Sequence, residues 1–180
     1  MDAAESIINY VFIDRAPLQQ SLRVAGAPRA LGEGNKSLAN VGDAIIRTIM
    51  SVDCYYECLT IGAVQFHETM IMFILTIDDT GATTHHIQIL ANNARFAQLC
   101  DNSGITGCIS NNPSQFNVVS NNTKATTLEA VVGAVFLDAG TRSLQEAKRV
   151  ILALSIIQVT LLKPSTLFSY HKAQHRTGVG

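Results

Sequence analysis

The chain has 180 residues, of which 47% are hydrophobic and 15% are charged. This composition excludes a largely disordered chain, and the length suits a single domain with a substantial core. The formal net charge of −1 excludes a global basic field, so any contact with nucleic acid has to be local.

The ends and the apolar runs of the sequence carry no membrane or export signal. Asp2 and Glu5 lie where a secretory signal would place a positive charge followed by an apolar run. The apolar runs at 70–77 and 150–162 are shorter than the about 20 residues that a spanning helix needs. We therefore predict an intracellular protein, in the cytoplasm or the nucleus, that is neither secreted nor inserted in a membrane.

The four cysteines contain no CxxC pair. We predict that Cys54, Cys58, Cys100 and Cys108 are free thiols, buried or half-buried, in a reducing compartment. The spacing of Cys54 and Cys58 (i, i+4) places both on one helix face and leaves a metal site open as an alternative.

The predicted elements, taken in chain order, are helical. Asp14 is a candidate N-cap for the second helix, which carries Leu18 and Leu22. Residues 62–83 are the least regular part, because 70–75 fits either a short strand or a buried helical turn. The remaining helices are predicted at 3–13, from 35 to about 53, at 84–101, from 125 to near 138 and at 144–154, with loops at 25–34 and 111–115.

One helix carries a single carboxylate, Asp43, on an apolar background. Gly42 lies beside it, so we expect another backbone to come close at this point. The apolar residues that define the helical spacing are Leu38, Val41, Ile45 and Ile49.

The stretch 125–138 repeats this pattern with one carboxylate, Glu129. Packing the two helices together would bring Asp43 and Glu129 towards one point. A metal site is the sharper interpretation, because an unpaired charge in an apolar helix is costly. The alternatives are that Asp43 is satisfied by a nearby Arg or a backbone amide, and that Glu129 is satisfied in the same way or protonated.

Four blocks of the sequence, in order, resemble the ribonuclease III domain family. The signature helix of the family is usually written N-E-R-L-E-F-L-G-D-A, and its second motif is D-x-x-E-A-L-I-G-A-I-Y-L-D. The family also has an opening Y-x-F-x-(D/N)-x-x-L-x-x-x-L and an N-x-x-L-A followed by G-L. The corresponding stretches here are 35–44 (NKSLANVGDA), 126–138 (TTLEAVVGAVFLD), 10–14 (YVFID) with Leu18 and Leu22, and 93–97 (NARFA) with Gly104-Ile105.

The resemblance implies an all-α, ribonuclease III-like helical bundle over residues 1–154. Residues 63–80 match nothing in the family and are predicted to be an insertion, and 155–180 a poorly ordered extension. Residues 112–115 (NPSQ) add a likeness to small single-domain fungal members with an incomplete carboxylate set.

The resemblance also implies a function: a homodimer that binds double-stranded RNA and cleaves it endonucleolytically with Mg²⁺, or Mn²⁺, held by four carboxylates. Asp43 and Glu129 fall on two of these positions and are the predicted catalytic residues and metal ligands. Thr126 stands where the second motif has Asp, and is the third candidate ligand. Ala39 stands where the signature helix has Glu, and Asn40 replaces a Phe that inserts into the partner subunit.

These departures leave several functions open. Two carboxylates and a hydroxyl predict reduced or lost cleavage, and Asn40 predicts a weakened dimer. The alternatives are a catalytically inactive module that binds RNA or protein, and a fold adapted to small-molecule chemistry. Residues 155–180 are too few for a separate double-stranded-RNA-binding domain, so we predict RNA contacts from Lys36, Arg47 and Lys124.

Overall fold

The computed structural model describes the backbone of most of the chain, and all regular segments in the described part are helical. This confirms the predicted all-α fold. Several sequence predictions fall on residues that the structure does not describe: the run at 70–77, the insertion at 63–80 and most of the extension at 155–180. The side chains of the cysteines at 54 and 58 are likewise outside the described part. The described ranges are 1–30, 32–61, 91–115 and 118–157, with side chains omitted at 54–61 and 115.

The helices alternate with short turns of 3₁₀ helix. None of the helices in the described ranges has the length and apolarity needed to span a membrane. The helices are α1 (Asp2–Ile8), α2 (Arg15–Ser21), α3 (Lys36–Ile61), α4 (Asn93–Ser103), α5 (Asn121–Asp138) and α6 (Ser143–Ala153), and the 3₁₀ turns are Ile105–Cys108, Pro113–Gln115 and Gly140–Arg142.

The first helix is shorter than the predicted 3–13. It ends at Ile8, because Asn9 adopts a left-handed conformation with φ of 52°. The following residues turn towards Asp138, which accepts hydrogen bonds from the backbone N–H groups of Ile13 and Asp14, each at 2.9 Å. The local cap at Asn9 thus ends the helix, and the contact with Asp138 fixes the direction of the chain after it.

Capping explains the starts of two other helices. Asp14 caps α2 as predicted, with its side chain accepting from the Ala16 N–H at 2.9 Å. Asn92 caps α4 by accepting from the Arg95 N–H. The prediction of a continuous helix over 84–101 is wrong at Asn92, whose backbone is extended; residues 84–90 lie outside the described part. The opposite error occurs in α3, which continues to Ile61, beyond the predicted end near residue 53.

The fifth helix is the centre of the bundle. It packs against α2, α3, α4 and α6, and a helix surrounded in this way is apolar on every side. Its fully buried residues include Leu128, Val131, Val132 and Val135. The two described cysteines, Cys100 and Cys108, are free and respectively buried and half-buried, as predicted.

Two glycines set the distance between α3 and α5. A Cβ at Gly42 would lie 1.8 Å from the carbonyl oxygen of Glu129, and one at Gly133 would lie 2.2 Å from the carbonyl oxygen of Leu38. Both clashes involve backbone atoms, which cannot rotate away. The close approach predicted at Gly42 is confirmed, and it places Asp43 and Glu129 at the same crossing.

Candidate functional site

Asp43 lies on α3 at this crossing and is bound by Arg47, one helical turn further along. The Nε–H of Arg47 is shared between both carboxylate oxygens of Asp43, at 2.8 and 2.9 Å. The side chains are 36% and 44% exposed, so water screens the pair. The i, i+4 spacing makes the contact accessible to both side chains within one helix. Asp43 is therefore satisfied by a neighbouring Arg, one of the alternatives that the sequence left open.

Glu129 lies opposite, on α5, and is half-buried. Its pKa is raised from 4.5 to about 7, mainly by burial and next by the negative charge of Asp43, while the positive charge of Arg47 lowers it. A carboxyl with a pKa near 7 is about half ionised in neutral solution. The charge of Asp43 acts on Glu129, so the two acids lie near each other where α3 crosses α5.

The remaining positions of the implied carboxylate set are not acidic. Ala39, one turn before Asp43, is 4% exposed and belongs to the hydrophobic core. Thr126, one turn before Glu129, is half-buried and contributes at most a neutral hydroxyl. Among the described residues, no three His, Cys, Asp or Glu side chains come together in a way that could hold a metal ion.

These residues do not fit a resident Mg²⁺ ion. Mg²⁺ is usually bound by one or two free, ionised carboxylates, and waters or phosphate oxygens complete its octahedral coordination. Here Arg47 already pairs with Asp43, and the two other positions of the implied set are the buried Ala39 and the neutral Thr126. The site already contains a cation, and that cation is a guanidinium.

The three predicted RNA-contact residues all lie in ion pairs. Arg47 pairs with Asp43. Lys124 is only 17% exposed, and its Nζ donates to Asp101 at 2.7 Å. Lys36 is the most accessible, with a side chain 58% exposed and 3.7 Å from Glu33. The structure thus does not bring the three together as one free basic surface.

The position predicted to face a partner subunit is at the surface. Asn40 is exposed, and Ala44, one turn later, is exposed as well. Both lie on the side of α3 that faces away from α5, since the intervening Gly42 touches α5. This surface carries a polar amide at the point where the resemblance implies an inserted aromatic ring.

Sequence reasoning missed the structural part played by Asn35, the first residue of the signature block. Its buried amide donates to the carbonyl oxygen of Ser21 at 2.9 Å and to the hydroxyl of Thr127 at 3.0 Å. One side chain therefore joins the ends of α2 and α3 to the middle of α5. A polar residue directly before a helix, in an otherwise apolar surrounding, was the available signal.

Asp138, the last residue of the second motif, was likewise not singled out. In addition to the two N–H groups after α1, it accepts a hydrogen bond from the hydroxyl of Tyr10 at 2.8 Å. Burial and the neighbouring carboxylate raise the pKa of Tyr10 above its ordinary value. The opening block and the final residue of the second motif are thus in direct contact.

The fold is that of a known nuclease domain. The structure is similar to the nuclease domain of ribonuclease III from Campylobacter jejuni, with a TM-score of 0.67, 17% identity, and coverage of 91% of this chain and 98% of that one. A second structure, described as showing flexibility in the region involved in dimer formation of the same nuclease domain, has a TM-score of 0.62, 21% identity, and coverage of 85% and 94%. No protein-family model and no curated protein matches the chain. The likeness shows a ribonuclease III-like fold, as the four blocks predicted.

Proposed function

We propose that this chain is a ribonuclease III-fold module that acts by binding, without efficient Mg²⁺-dependent cleavage of RNA. The observation that supports this most directly is the ion pair in which Arg47 engages both oxygens of Asp43. Ala39 supports the proposal further, because a buried methyl group stands where the family's signature helix has a negatively charged Glu.

The experiment that tests this proposal separates binding from hydrolysis. Duplex RNA is incubated with the protein in Mg²⁺, in Mn²⁺ and in a chelator, and both retention and strand integrity are followed on gels. We expect retention that is independent of the cation and equal in Glu129→Gln, with the RNA intact. Cleavage that requires the cation and disappears in Glu129→Gln would overturn the proposal.

The second candidate function is endonucleolytic cleavage of double-stranded RNA, which cation-dependent cleavage lost in Glu129→Gln would establish. The observation in its favour is that Asp43 and Glu129 do meet at the α3–α5 crossing, where the charge of one raises the pKa of the other. A carboxyl group whose pKa is strongly raised by burial and by a nearby charge is typical of functional sites. Under this candidate they would be the ligands of Mg²⁺ or Mn²⁺, with Thr126 beside them.

We also propose that the module self-associates weakly through the exposed side of α3. A similar solved nuclease domain has a region involved in dimer formation, and Asn40 and Ala44 are exposed here. An exposed amide has to give up water on burial, so the contact is weaker than one made by an apolar side chain.

Of the three candidates for RNA contact, Lys36 is the most accessible, because its side chain is 58% exposed.

A further inference from the structure

Two arginines that take no part in the Asp43–Glu129 site line a small hollow beside α2. Arg23 and Arg29 form it together with Gln19 and Gln20, and its volume is about 210 Å³. Pockets for drug-sized ligands begin at about 300 Å³. The hollow therefore suits one small group rather than a whole cofactor.

The charge of this hollow is not compensated by the described part of the chain. Neither guanidinium lies within 4.0 Å of a carboxylate there, whereas Lys36, Arg47 and Lys124 each do. Arg23 Nη2 makes a long hydrogen bond of 3.5 Å to the Gln19 side-chain oxygen. This contact leaves the remaining N–H groups of the guanidinium, and the amide NH₂ of Gln19, as donors.

The backbone holds Arg23 in place on both sides. The N–H of Ser110 donates to Leu22 at 2.8 Å, and the N–H of Val24 donates to Ser110 at 3.2 Å. These bonds tie the end of α2 to the segment after α4, far away in sequence. Arg23 is thus presented from a fixed backbone, which reduces the entropy lost when its side chain binds a ligand.

Arg29 reaches the hollow from a strained backbone. Its φ is +61°, in the left-handed region that a residue with a Cβ seldom occupies. Gly34 also lines the hollow, and a Cβ there would lie 2.4 Å from the backbone nitrogen of Ala25. Strained conformations of non-glycine residues persist where the surroundings enforce them and are concentrated at functional sites.

We propose that the hollow between Arg23 and Arg29 binds a phosphate group. Guanidinium groups bind phosphate through charge-assisted, often paired, N–H···O bonds, and two of them with two amides match the several acceptor oxygens of a tetrahedral phosphate. The group belongs either to a small molecule or to the backbone of a nucleic acid. This site is separate from Asp43 and Glu129, and it does not depend on whether those acids support cleavage.

The experiment that tests the site is a titration of the full chain with inorganic phosphate, followed by NMR of the arginine Nε–H signals. We expect saturable shifts at Arg23 and Arg29. Arg23→Gln and Arg29→Gly should each weaken binding by about tenfold, since each loses a charge-assisted contact. Arg142→Gln removes an exposed charge elsewhere and should change the affinity by less than about twofold.

Arg29→Gly also distinguishes a loss of phosphate binding from a loss of folded structure. Glycine occupies the left-handed region without the Cβ penalty, so this variant should melt at the same temperature as the wild type or higher while binding phosphate more weakly. Shifts that do not saturate, or affinities that are equal in the wild type and both hollow variants, would overturn the proposal.

A second arm, with a short RNA duplex, identifies the source of the phosphate. If it is a nucleic-acid backbone, each variant of the hollow should weaken RNA binding and reduce its salt dependence by about one phosphate contact. If it belongs to a small molecule, the variants should lower phosphate affinity and leave RNA binding unchanged. Phosphate binding at the hollow can therefore stand even if the proposed binding of RNA fails.

Discussion

Asp43, Arg47 and Glu129 form one electrostatic unit, because the ionisation of Glu129 depends on the charges of the other two residues. Asp43 raises the pKa of Glu129 and Arg47 lowers it. The fold thus brings two acids near each other, and Arg47 compensates the charge of only one of them, Asp43. Charge at the site changes near neutral pH, where an ordinary glutamate would already be ionised.

The raised pKa of Glu129 predicts a pH-dependent cost to stability. A carboxyl whose pKa rises on folding stabilises the folded state fully below its unfolded value, and this contribution is lost as the pH rises through about 7. We expect the free energy of unfolding of the wild type to fall relative to Glu129→Gln between about pH 5 and 8, by about 1–2 kcal/mol for a half-exposed group. Denaturant titrations of both proteins at each pH measure this, and a constant difference would contradict it.

The two charged neighbours should move this pKa in opposite directions. Asp43→Asn removes a like charge and should lower the pKa of Glu129, whereas Arg47→Gln removes the compensating cation and should raise it. Carboxyl ¹³C NMR of Glu129 measures both shifts, and Arg47→Lys, which keeps the charge, is the control. A lower pKa in Arg47→Gln would show that Arg47 does not face Glu129.

At the scale of elements, the crossing of α3 and α5 depends on the absence of two side chains. Alanine in a helix is favoured over glycine by about 1 kcal/mol, so intrinsic propensity alone would make Gly133→Ala stabilising. The added methyl would meet the carbonyl oxygen of Leu38 at 2.2 Å, and the helices would have to separate. Packing and propensity act in opposite directions, and the contact distance decides the sign.

We therefore expect Gly133→Ala to destabilise the protein by about 2 kcal/mol, since overpacking a core typically costs about 1–3 kcal/mol. Gly107→Ala is the matched control, because nothing lies within 4 Å of its Cβ position; its effect should stay within about 0.5 kcal/mol. Thermal unfolding of both variants makes the comparison. Equal stabilities would mean that α3 and α5 can move apart without cost.

Some of these elements could be read from the sequence and others could not. Asp14 marked the start of α2 because capping is local, and the i, i+4 spacing of Asp43 and Arg47 was likewise available. The path of the chain after α1 could not be predicted, since it depends on Asp138, which lies 124 positions after Asp14. The shifted pKa of Glu129 also required the packed structure, because burial and the charge of Asp43 together cause it.

At the scale of the whole molecule, basic residues are distributed so that most of the described ones are compensated. Arg15 pairs with Glu5, and Arg149 pairs with the buried Glu146. The hollow of Arg23 and Arg29 is a local exception on a chain with net charge −1. Binding of a polyanion would then depend on a few sites, with a shallow salt dependence, and not on a broad basic surface.

The last prediction concerns self-association through the exposed side of α3. Asn40 is exposed there, so Asn40→Phe leaves the folded core intact and adds apolar surface at the position where the resemblance implies an inserted aromatic. Burying a phenylalanine side chain is worth about 1.5–3 kcal/mol. After the loss of side-chain freedom, we expect the dimer dissociation constant to fall by about tenfold.

Analytical ultracentrifugation over a range of protein concentrations measures this constant. Gln145→Phe adds the same ring to an exposed position on α6 and controls for non-specific association, so it should leave the constant unchanged. If the two variants associate to the same extent, the added ring acts as a general sticky patch and α3 is not the interface. If only Asn40→Phe tightens the dimer, the polar amide at position 40 is what weakens self-association in this chain.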